Sequence, residues 1–330
     1  MLSTFLILLP IFGLIAAGYA VRLRGVMGAG AASEVNRLVV WLALPALLFD
    51  IMAHTSWREI WQPGFVWTFV LAKGLMFGAV LAWRLLARKP LADASIDAVA
   101  ASYPNTGYVG FPLLLLLFGK DSLTPTTIAT IIVACVFFAV AIALIEAGLQ
   151  AERHPRKLAA KVAGAVLKNP LVLAPLLGAL CAGAGVAIPA SAETFLKLLG
   201  GAASPCALVG LGLFLANQKL ARRERTQAGR TPASNAAQPG RGPLAAIVAI
   251  KLAAQPALTW LLATHVFALP PQLRHMAVLL AALPTGTGPF MLAEYYRRDG
   301  ALISNVILVT TVASVVTLVV VAALMGVTPP

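Results

Sequence analysis

Long apolar runs, repeated along nearly the whole chain, constrain the fold of this protein more than any other feature of its sequence. The 330 residues are 60% hydrophobic and only 11% charged, with a mean hydropathy of +0.88. A soluble domain is about half apolar and a quarter charged, and a helix needs roughly 20 apolar residues to cross a bilayer. The sequence therefore predicts an all-α, multi-pass membrane protein embedded in a lipid bilayer.

By that length criterion the sequence predicts ten transmembrane helices, most of them joined by short connections. The predicted spans are 2–22, 36–54, 63–86, 94–118, 124–147, 168–187, 191–216, 244–268, 271–296 and 300–326. The first span resembles a signal sequence, but it lacks a basic start and nine spans follow it, so we expect it to be retained.

The connection 217–242 differs from the others because it is polar, basic and rich in Ala, Gly, Pro and Ser. This composition predicts a disordered cytoplasmic linker. A patch that binds anionic lipid headgroups is the alternative interpretation.

Basic residues are distributed unequally between the two sets of connections. Of the 25 Lys and Arg residues, 19 fall after odd-numbered spans, three fall after even-numbered spans and three fall within spans. The three after even-numbered spans are Arg58, Lys120 and Arg274, and the three within spans are Lys73, Lys197 and Lys251. Because Lys and Arg accumulate in cytoplasmic loops, both termini are predicted on the non-cytoplasmic side. Orientation in the membrane also explains the net charge of +13, so nucleic acid is not a predicted partner.

The chain divides into two halves of five spans, 1–150 and 151–330. Because five is odd, the second half enters the membrane in the opposite sense, which is the geometry of an inverted repeat. Proline positions support this division, since Pro45 lies at the centre of span 2 and Pro205 at the centre of span 7.

Two further proline-rich segments interrupt spans 4 and 9. They are Tyr-Pro-Asn-Thr-Gly-Tyr-Val-Gly-Phe-Pro at 103–112 and Pro-Thr-Gly-Thr-Gly-Pro at 284–289. Interrupted helices in corresponding halves indicate the binding site of a transporter. The predicted substrate-binding residues are Pro104, Asn105, Thr106, Gly107, Pro284, Thr285, Gly286, Thr287 and Lys73, and the predicted hinge residues are Pro45, Gly110, Pro112, Pro205, Gly288 and Pro289. The alternative is that both segments are kinks that only pack helices.

The charges near these segments favour an anionic ligand. Half-helix N-termini attract anions, whereas none of the twelve acidic residues falls at a span centre, where a cation carrier would need one. Lys73, near the middle of span 3, either balances an anionic substrate, or extends its amine to the interface or faces a wet cleft. Lys251 is expected to extend its amine towards the cytoplasmic interface, and His54 and His265 are expected at the outer ends of spans.

No enzyme motif or metal-ligand spacing is present in the sequence. Cys135, Cys181 and Cys206 all lie in apolar segments and are interpreted as small buried hydrophobic residues. We therefore expect neither an enzyme nor a cofactor, metal or catalytic residue.

Several segments resemble the auxin efflux carrier family. The stretch Asn36–Phe49, with Leu44-Pro45-Ala46 at its centre, resembles the second helix of that family. The run Asn105–Pro112 is similar to its Asn-x-Gly-x-x-Gly-x-Pro signature, and Leu292-Ala293-Glu294-Tyr295-Tyr296 is similar to part of its ninth helix. The similarity extends over essentially the whole chain apart from the 217–242 linker.

The resemblance implies ten helices in two inverted five-helix repeats, with broken helices 4 and 9 crossing at their prolines. Spans 1, 2, 6 and 7 would form a scaffold and dimer surface, and spans 3–5 and 8–10 a mobile unit that works by an elevator motion. Family members include plant auxin exporters and bacterial carriers of malonate, malate and similar carboxylates. The long central loop of the plant exporters has no counterpart between spans 5 and 6, which favours a small organic anion over auxin.

Together these observations predict a homodimeric secondary carrier of a mono- or dicarboxylate in the inner membrane of a bacterium. Coupling to a proton or to sodium is left open. The alternatives are an ion-coupled carrier of the bile acid and arsenite transporter type, or a membrane receptor or channel without coupled transport.

Overall fold

The computed structural model describes residues 2–54, 61–149, 164, 170–227 and 241–327, and most of these residues are helical. The α-helices of this part of the chain are α1 Leu2–Leu23, α2 Ala31–Leu38, α3 Leu44–Ala53, α4 Pro63–Leu86, α5 Leu91–Ser102, α6 Phe111–Phe118, α7 Leu123–Ile131, α8 Phe138–Leu149, α9 Pro170–Gly183, α10 Ala190–Gly201, α11 Ala203–Gln227, α12 Arg241–Ala249, α13 Gln255–Leu261, α14 Pro271–Ala282, α15 Gly288–Tyr295 and α16 Ala301–Leu324. Wider π-helical turns continue several of them, at Val39–Ala43, Thr106–Gly110, Ile132–Phe137, Ile250–Ala254 and Leu262–Val266.

Six continuous helical stretches among the described residues are long and apolar enough to cross a membrane. They are Ala31–Ala53, Pro63–Leu86, Thr106–Leu149, Ala190–Ala221, Gly242–Val266 and Ala301–Leu324. Shorter apolar helices lie at Phe12–Leu23 and Leu173–Gly183. The predicted all-α, multi-pass membrane protein is thus confirmed, whereas the number of ten spans stays a prediction.

The predicted hinge prolines lie where helical segments begin. Pro45 and Pro112 occupy the first turns of α3 and α6, Pro205 is the third residue of α11 and Pro289 the second of α15. Pro289 follows the non-helical residues 283–287, and proline is tolerated there because the first N–H groups of a helix have no partner within it. Pro45, Pro112 and Pro205 instead lie within continuous helical stretches.

One set of helices packs around α1 and α3. α1 packs along α11, α3 packs along α9 and α10, and α2 contacts α11. The approach of α1 to α11 is so close that a Cβ atom on Gly18 would overlap the backbone of Val209. Small residues permit such contacts in membranes, so the first, second, sixth and seventh predicted spans form one packed group.

A second set of helices packs around α5 and α14. α5 lies against α4 and α8, while α14 lies against α13 and α16. α4 also contacts α13, which joins the helices of the two halves of the chain. The Arg84 guanidinium forms a buried ion pair with Asp97, with 2.6 Å between Nε and Oδ2, and this pair ties α4 to α5.

The segments that lead into α5 and α14 have matching geometry. Both helices are 12 residues long. Each follows a proline in an extended conformation, with ψ of 145° at Pro90 and 144° at Pro270. Two residues earlier the backbone is left-handed, with φ of 59° at Arg88 and 45° at Ala268. A left-handed non-glycine residue is uncommon, and one occurs at the same distance before each of the two helices.

The structure corrects the predicted boundaries of the linker. Residues 217–227, assigned to the disordered segment 217–242 from their composition, continue α11 as far as Gln227. α12 begins at Arg241, within the same segment. Residues 228–240 lie outside the described part of the chain.

Candidate substrate-binding site

The two interrupted spans meet where their helices end. α5 ends at Ser102, and residues 103–105 are not helical before the π-helical turn Thr106–Gly110. α14 ends at Ala282, and residues 283–287 are not helical before α15. Pro104 and Thr285 pair as an isolated antiparallel bridge. We name the contact between residues 103–105 and 283–287 the junction.

Backbone hydrogen bonds across the junction satisfy groups that the interruptions release. The Asn105 N–H donates to the carbonyl oxygen of Pro284 over 2.8 Å, and the Gly286 N–H donates to that of Tyr103 over 3.0 Å. In a bilayer such groups have no water to bond. Each interruption therefore supplies the partners that the other one needs.

Thr285 braces the junction from one side. Its hydroxyl donates to the Ala100 carbonyl over 2.9 Å, and its N–H donates to the hydroxyl of Thr310 over 3.2 Å. The residue is completely buried. Its observed contacts are those of a structural residue, although the sequence analysis placed it among the substrate-binding candidates.

A cavity of about 110 Å³ lies beside the junction. Its lining residues are Val40, Leu44, Tyr103, Pro104, Asn105, Thr106, Gly107, Tyr108, Thr130, Ala134, Phe138, Thr287 and Gly288. It thus brings together five predicted substrate-binding residues, Pro104, Asn105, Thr106, Gly107 and Thr287, with the predicted hinge residue Gly288. Pro284, Thr285, Gly286 and Lys73 do not line it.

Among the described residues that line this cavity, Asn105 alone carries a side-chain amide. Its Oδ1 accepts the Tyr108 N–H over 3.2 Å, which caps the turn Thr106–Gly110. This bond fixes the orientation of the amide. The Nδ2 group is buried and has no hydrogen-bond partner among the described residues, in a residue that is only 4% exposed. An amide nitrogen carries two donor hydrogens, so the cavity wall holds an unsatisfied donor.

Two aromatic rings line another side of the cavity, and they leave no room for a side chain at position 288. The rings of Tyr103 and Phe138 lie 5.5 Å apart, centre to centre. A Cβ atom on Gly288 would lie 2.8 Å from the Tyr103 ring and 2.9 Å from the Phe138 ring. Gly288 therefore allows the backbone at the start of α15 to approach these rings.

Two lysines are buried next to the junction rather than in the cavity wall. Lys73 is 1% exposed, and its Nζ donates to the Ser102 carbonyl over 2.9 Å and lies 4.5 Å from the centre of the Phe69 ring. Lys251 is fully buried, and its Nζ donates to the Ala281 carbonyl over 2.7 Å. The expectation that Lys251 extends to the interface is therefore wrong, and Lys73 does not face a wet cleft.

Two buried carboxylates among the described residues, those of Asp97 and Glu146, have partners. Asp97 binds Arg84, and Glu146 accepts the hydroxyl of Tyr296 over 2.9 Å. Outside the spans, Asp93 accepts two hydrogen bonds of 2.6 Å from Arg298, and these bonds raise the pKa of the Arg298 guanidinium. Cys181 and Cys206 are free thiols and only partly buried. Among the described residues, no three His, Cys, Asp or Glu side chains gather as metal ligands.

A second, larger cavity of about 660 Å³ adjoins the first. It extends past Asn36, Asn217 and Ser304 to Arg298 and Asp299. Tyr108 and Thr287 line both cavities. The Tyr108 hydroxyl donates to Asn36 Oδ1 over 2.5 Å and so joins the turn after the junction to α2.

Sequence reasoning missed Asn36 and Tyr108 as site residues. Both lie in segments that carry the family resemblance, but neither is a proline, a glycine or a charge within a span. Their contact links positions 72 residues apart, and residue spacing along one helix does not indicate such a contact.

A multi-pass helical protein with a cavity where two interrupted helices meet has the architecture of a membrane transport protein. The family described as "Membrane transport protein" matches residues 4–322. The chain belongs to this family, the auxin efflux carrier family, as its motifs indicated.

Curated relatives carry transporter names. A protein of Rhizobium meliloti (strain 1021) named "Putative malonate transporter" is 31% identical over 312 residues, which cover 94% of this chain and 92% of the relative. "Uncharacterized transporter YfdV" of Escherichia coli (strain K12) is 28% identical over 217 residues, covering 64% of this chain and 68% of the relative. An "Uncharacterized transporter" of Methanothermobacter thermautotrophicus is 27% identical over 213 residues, covering 63% and 66%.

Proposed function

We propose that this transport protein is a secondary carrier of a small organic anion, a mono- or dicarboxylate such as malonate or malate, in the inner membrane of a bacterium. The observation that carries the proposal is the buried, unpartnered Nδ2 group of Asn105 in the wall of the junction cavity. A carboxylate oxygen would satisfy this donor. The name of the relative from Rhizobium meliloti supports the same class of substrate.

The composition of the cavity wall supports an anion over a cation. Its polar side chains are Tyr103, Asn105, Thr106, Tyr108, Thr130 and Thr287, and no Asp or Glu is among the described lining residues. The N-termini of the turn Thr106–Gly110 and of α15 also border the cavity, and helix N-termini favour negative charge. A substrate carboxylate would be held by neutral donors and helix ends.

The proposed architecture is a pair of inverted five-helix repeats whose interrupted helices cross at the junction. The matched backbone geometry at Arg88–Pro90 and Ala268–Pro270 supports this symmetry. The two packed sets of helices support a division into a scaffold and a mobile unit. An elevator motion would carry the junction past the scaffold, and a homodimer would join two scaffolds.

The larger cavity would be the route from the junction to the cytoplasm. It opens beside Arg298, on the side that the distribution of basic residues places in the cytoplasm. Tyr108 would separate this route from the substrate, because it lines both cavities and is bonded to Asn36.

The proposal is tested with purified protein in liposomes and a panel of labelled mono- and dicarboxylates. We expect uptake of at least one of them, accelerated by the same unlabelled compound inside the vesicles, since a carrier exchanges its substrate and a channel does not. Uptake of none, together with binding of a cation or a neutral solute, would contradict the proposal.

Asn105→Ala tests the site itself. We expect it to lose at least 90% of transport, or about tenfold, because a hydrogen bond to a charged group contributes about 1.5–3 kcal/mol. Asn105→Asp, which keeps the shape but places a negative charge in the cavity, is expected to be as inactive. Lys197→Ala is the control, since that lysine is exposed and pairs with Glu193. Undiminished transport by both Asn105 variants would show that the substrate binds elsewhere.

A further inference from the structure

Lys73 and Lys251 occupy matching positions with respect to the junction. Each is the eleventh residue of the helical stretch that precedes an interrupted span, counted from Pro63 and from Arg241. Lys73 donates to a carbonyl 29 residues ahead and Lys251 to one 30 residues ahead. The acceptors, Ser102 and Ala281, lie at the C-terminal ends of α5 and α14. The same device is therefore present in both halves of the chain.

The C-terminal end of a half-helix is where carriers commonly bind a coupling cation. Its last carbonyl groups lack partners within the helix and carry partial negative charge. In secondary transporters with broken helices, such ends and unwound carbonyls coordinate Na⁺ or H⁺. In this protein the Nζ atoms of two buried lysines donate hydrogen bonds to these carbonyl groups.

A third side chain takes part on the α5 side. Gln255 lies four residues after Lys251, and its Nε2 donates to the same Ser102 carbonyl over 3.3 Å. Its Oε1 is buried without a hydrogen-bond partner among the described residues. If the Lys73 amine were absent, the Ser102 and Gln255 oxygens would both be available near the end of α5.

We propose that Lys73 and Lys251 are tethered substitutes for a coupling cation. Their amines occupy the half-helix carbonyls that would otherwise bind sodium, so the anion is transported without sodium. The inference rests on the proposed function for its transport readout. Lys73 is then not the direct substrate ligand that the sequence analysis predicted. Of the two coupling ions that the sequence left open, sodium is excluded and the proton remains.

Anion uptake gives the first test. Liposomes are prepared with sodium or choline as the main cation at constant pH, and labelled malonate is the probe. The initial rate of the unmodified protein is expected to be the same in both media. Lys73→Ala and Lys251→Ala should transport slowly in choline and several-fold faster in sodium, because Na⁺ can then be coordinated by the vacated oxygens. Stimulation of the unmodified protein by sodium would overturn the proposal.

Thermal unfolding of purified protein gives a test that does not depend on substrate. The unmodified protein should melt at the same temperature in sodium chloride and choline chloride, whereas the alanine variants should melt at a higher temperature in sodium, since a ligand that binds the folded state stabilises it. Lys197→Ala, at an exposed position, should show no difference between the salts.

A folded alanine variant that melts identically in both salts would overturn the inference, as would stabilisation of the unmodified protein by sodium. If the alanine variants do not fold, the inference is tested by the uptake rate and the melting temperature of the unmodified protein, which should both be the same in sodium and in choline. Failure of the proposed function gives a different result: no carboxylate is taken up, but the melting temperatures in the two salts still show whether the variants bind sodium.

Discussion

At the scale of single residues, Asn105 does two things with one side chain. Its Oδ1 holds the turn after the junction through the Tyr108 N–H, while its Nδ2 stays unsatisfied in the cavity wall. An aspartate could perform the first task but not the second, because an ionised carboxylate has no donor. The amide is therefore suited to an anion-binding site that must also cap a helical turn.

Gly288 sets how closely α15 approaches the cavity. We expect Gly288→Ala to destabilise the protein by about 1–3 kcal/mol, the usual cost of overpacking, because its Cβ would lie 2.8 Å from Tyr103. Since Tyr103 lines the cavity, carboxylate uptake should fall as well. The measurements are the melting temperature of the purified protein and the initial uptake rate.

Gly78→Ala is the matched control for that substitution. No heavy atom lies within 4 Å of the position its Cβ would take, and alanine is the better helix former. Its melting temperature should therefore stay the same or rise slightly. An equal effect of both substitutions would show that Gly288 is not required by the rings that face it.

At the scale of helices, the ion pair of Arg84 and Asp97 determines how α4 and α5 are joined. Both side chains are less than a tenth exposed. We expect Asp97→Asn to destabilise the protein by about 3–5 kcal/mol, because it leaves a buried guanidinium without its carboxylate. Glu34→Gln, which breaks the exposed pair with Arg37, should change stability by only about 0–1 kcal/mol.

Thermal unfolding in detergent compares these two variants directly. The double variant Arg84→Leu with Asp97→Leu should recover part of the loss, since a buried pair is often replaced by apolar side chains at little cost. Equal melting temperatures for Asp97→Asn and the unmodified protein would mean that the pair does not hold α4 against α5.

Helix interruptions were accessible from the sequence, whereas the contacts between them were not. Proline changes the backbone locally, so Pro104 and Pro284 mark where regular helix stops. The bond from Asn105 to Pro284 depends on how two distant spans pack, and one sequence does not specify that packing. Lys251 was misjudged for the same reason, because its partner at Ala281 lies on another helix and distance from the span end was the only guide available.

At the scale of the whole molecule, the two packed sets of helices must slide past each other if the carrier is an elevator. Asn36 lies on α2 in the first set, Tyr108 lies in the turn that follows the junction, and the two side chains are hydrogen-bonded. In a background without the three native cysteines, we expect a short, reducible thiol cross-linker between Asn36→Cys and Tyr108→Cys to abolish most transport, and reduction to restore the rate of the uncross-linked double variant.

Asp93→Cys with Arg298→Cys provides the matched control pair. Those side chains are also in direct contact. Cross-linking them should not change the transport rate of that double variant. Transport that continues with Asn36 and Tyr108 joined would exclude a motion of the junction relative to α2.

The junction also has a consequence for biosynthesis. Asn105 N–H and Tyr103 C=O receive their partners from Pro284 and Gly286, which the ribosome adds long after the first half has entered the membrane. Until then, these backbone groups of the first half lack their partners, and an unsatisfied group within a bilayer is costly. We therefore expect two fragments divided between residues 150 and 170 to accumulate only when they are synthesised together.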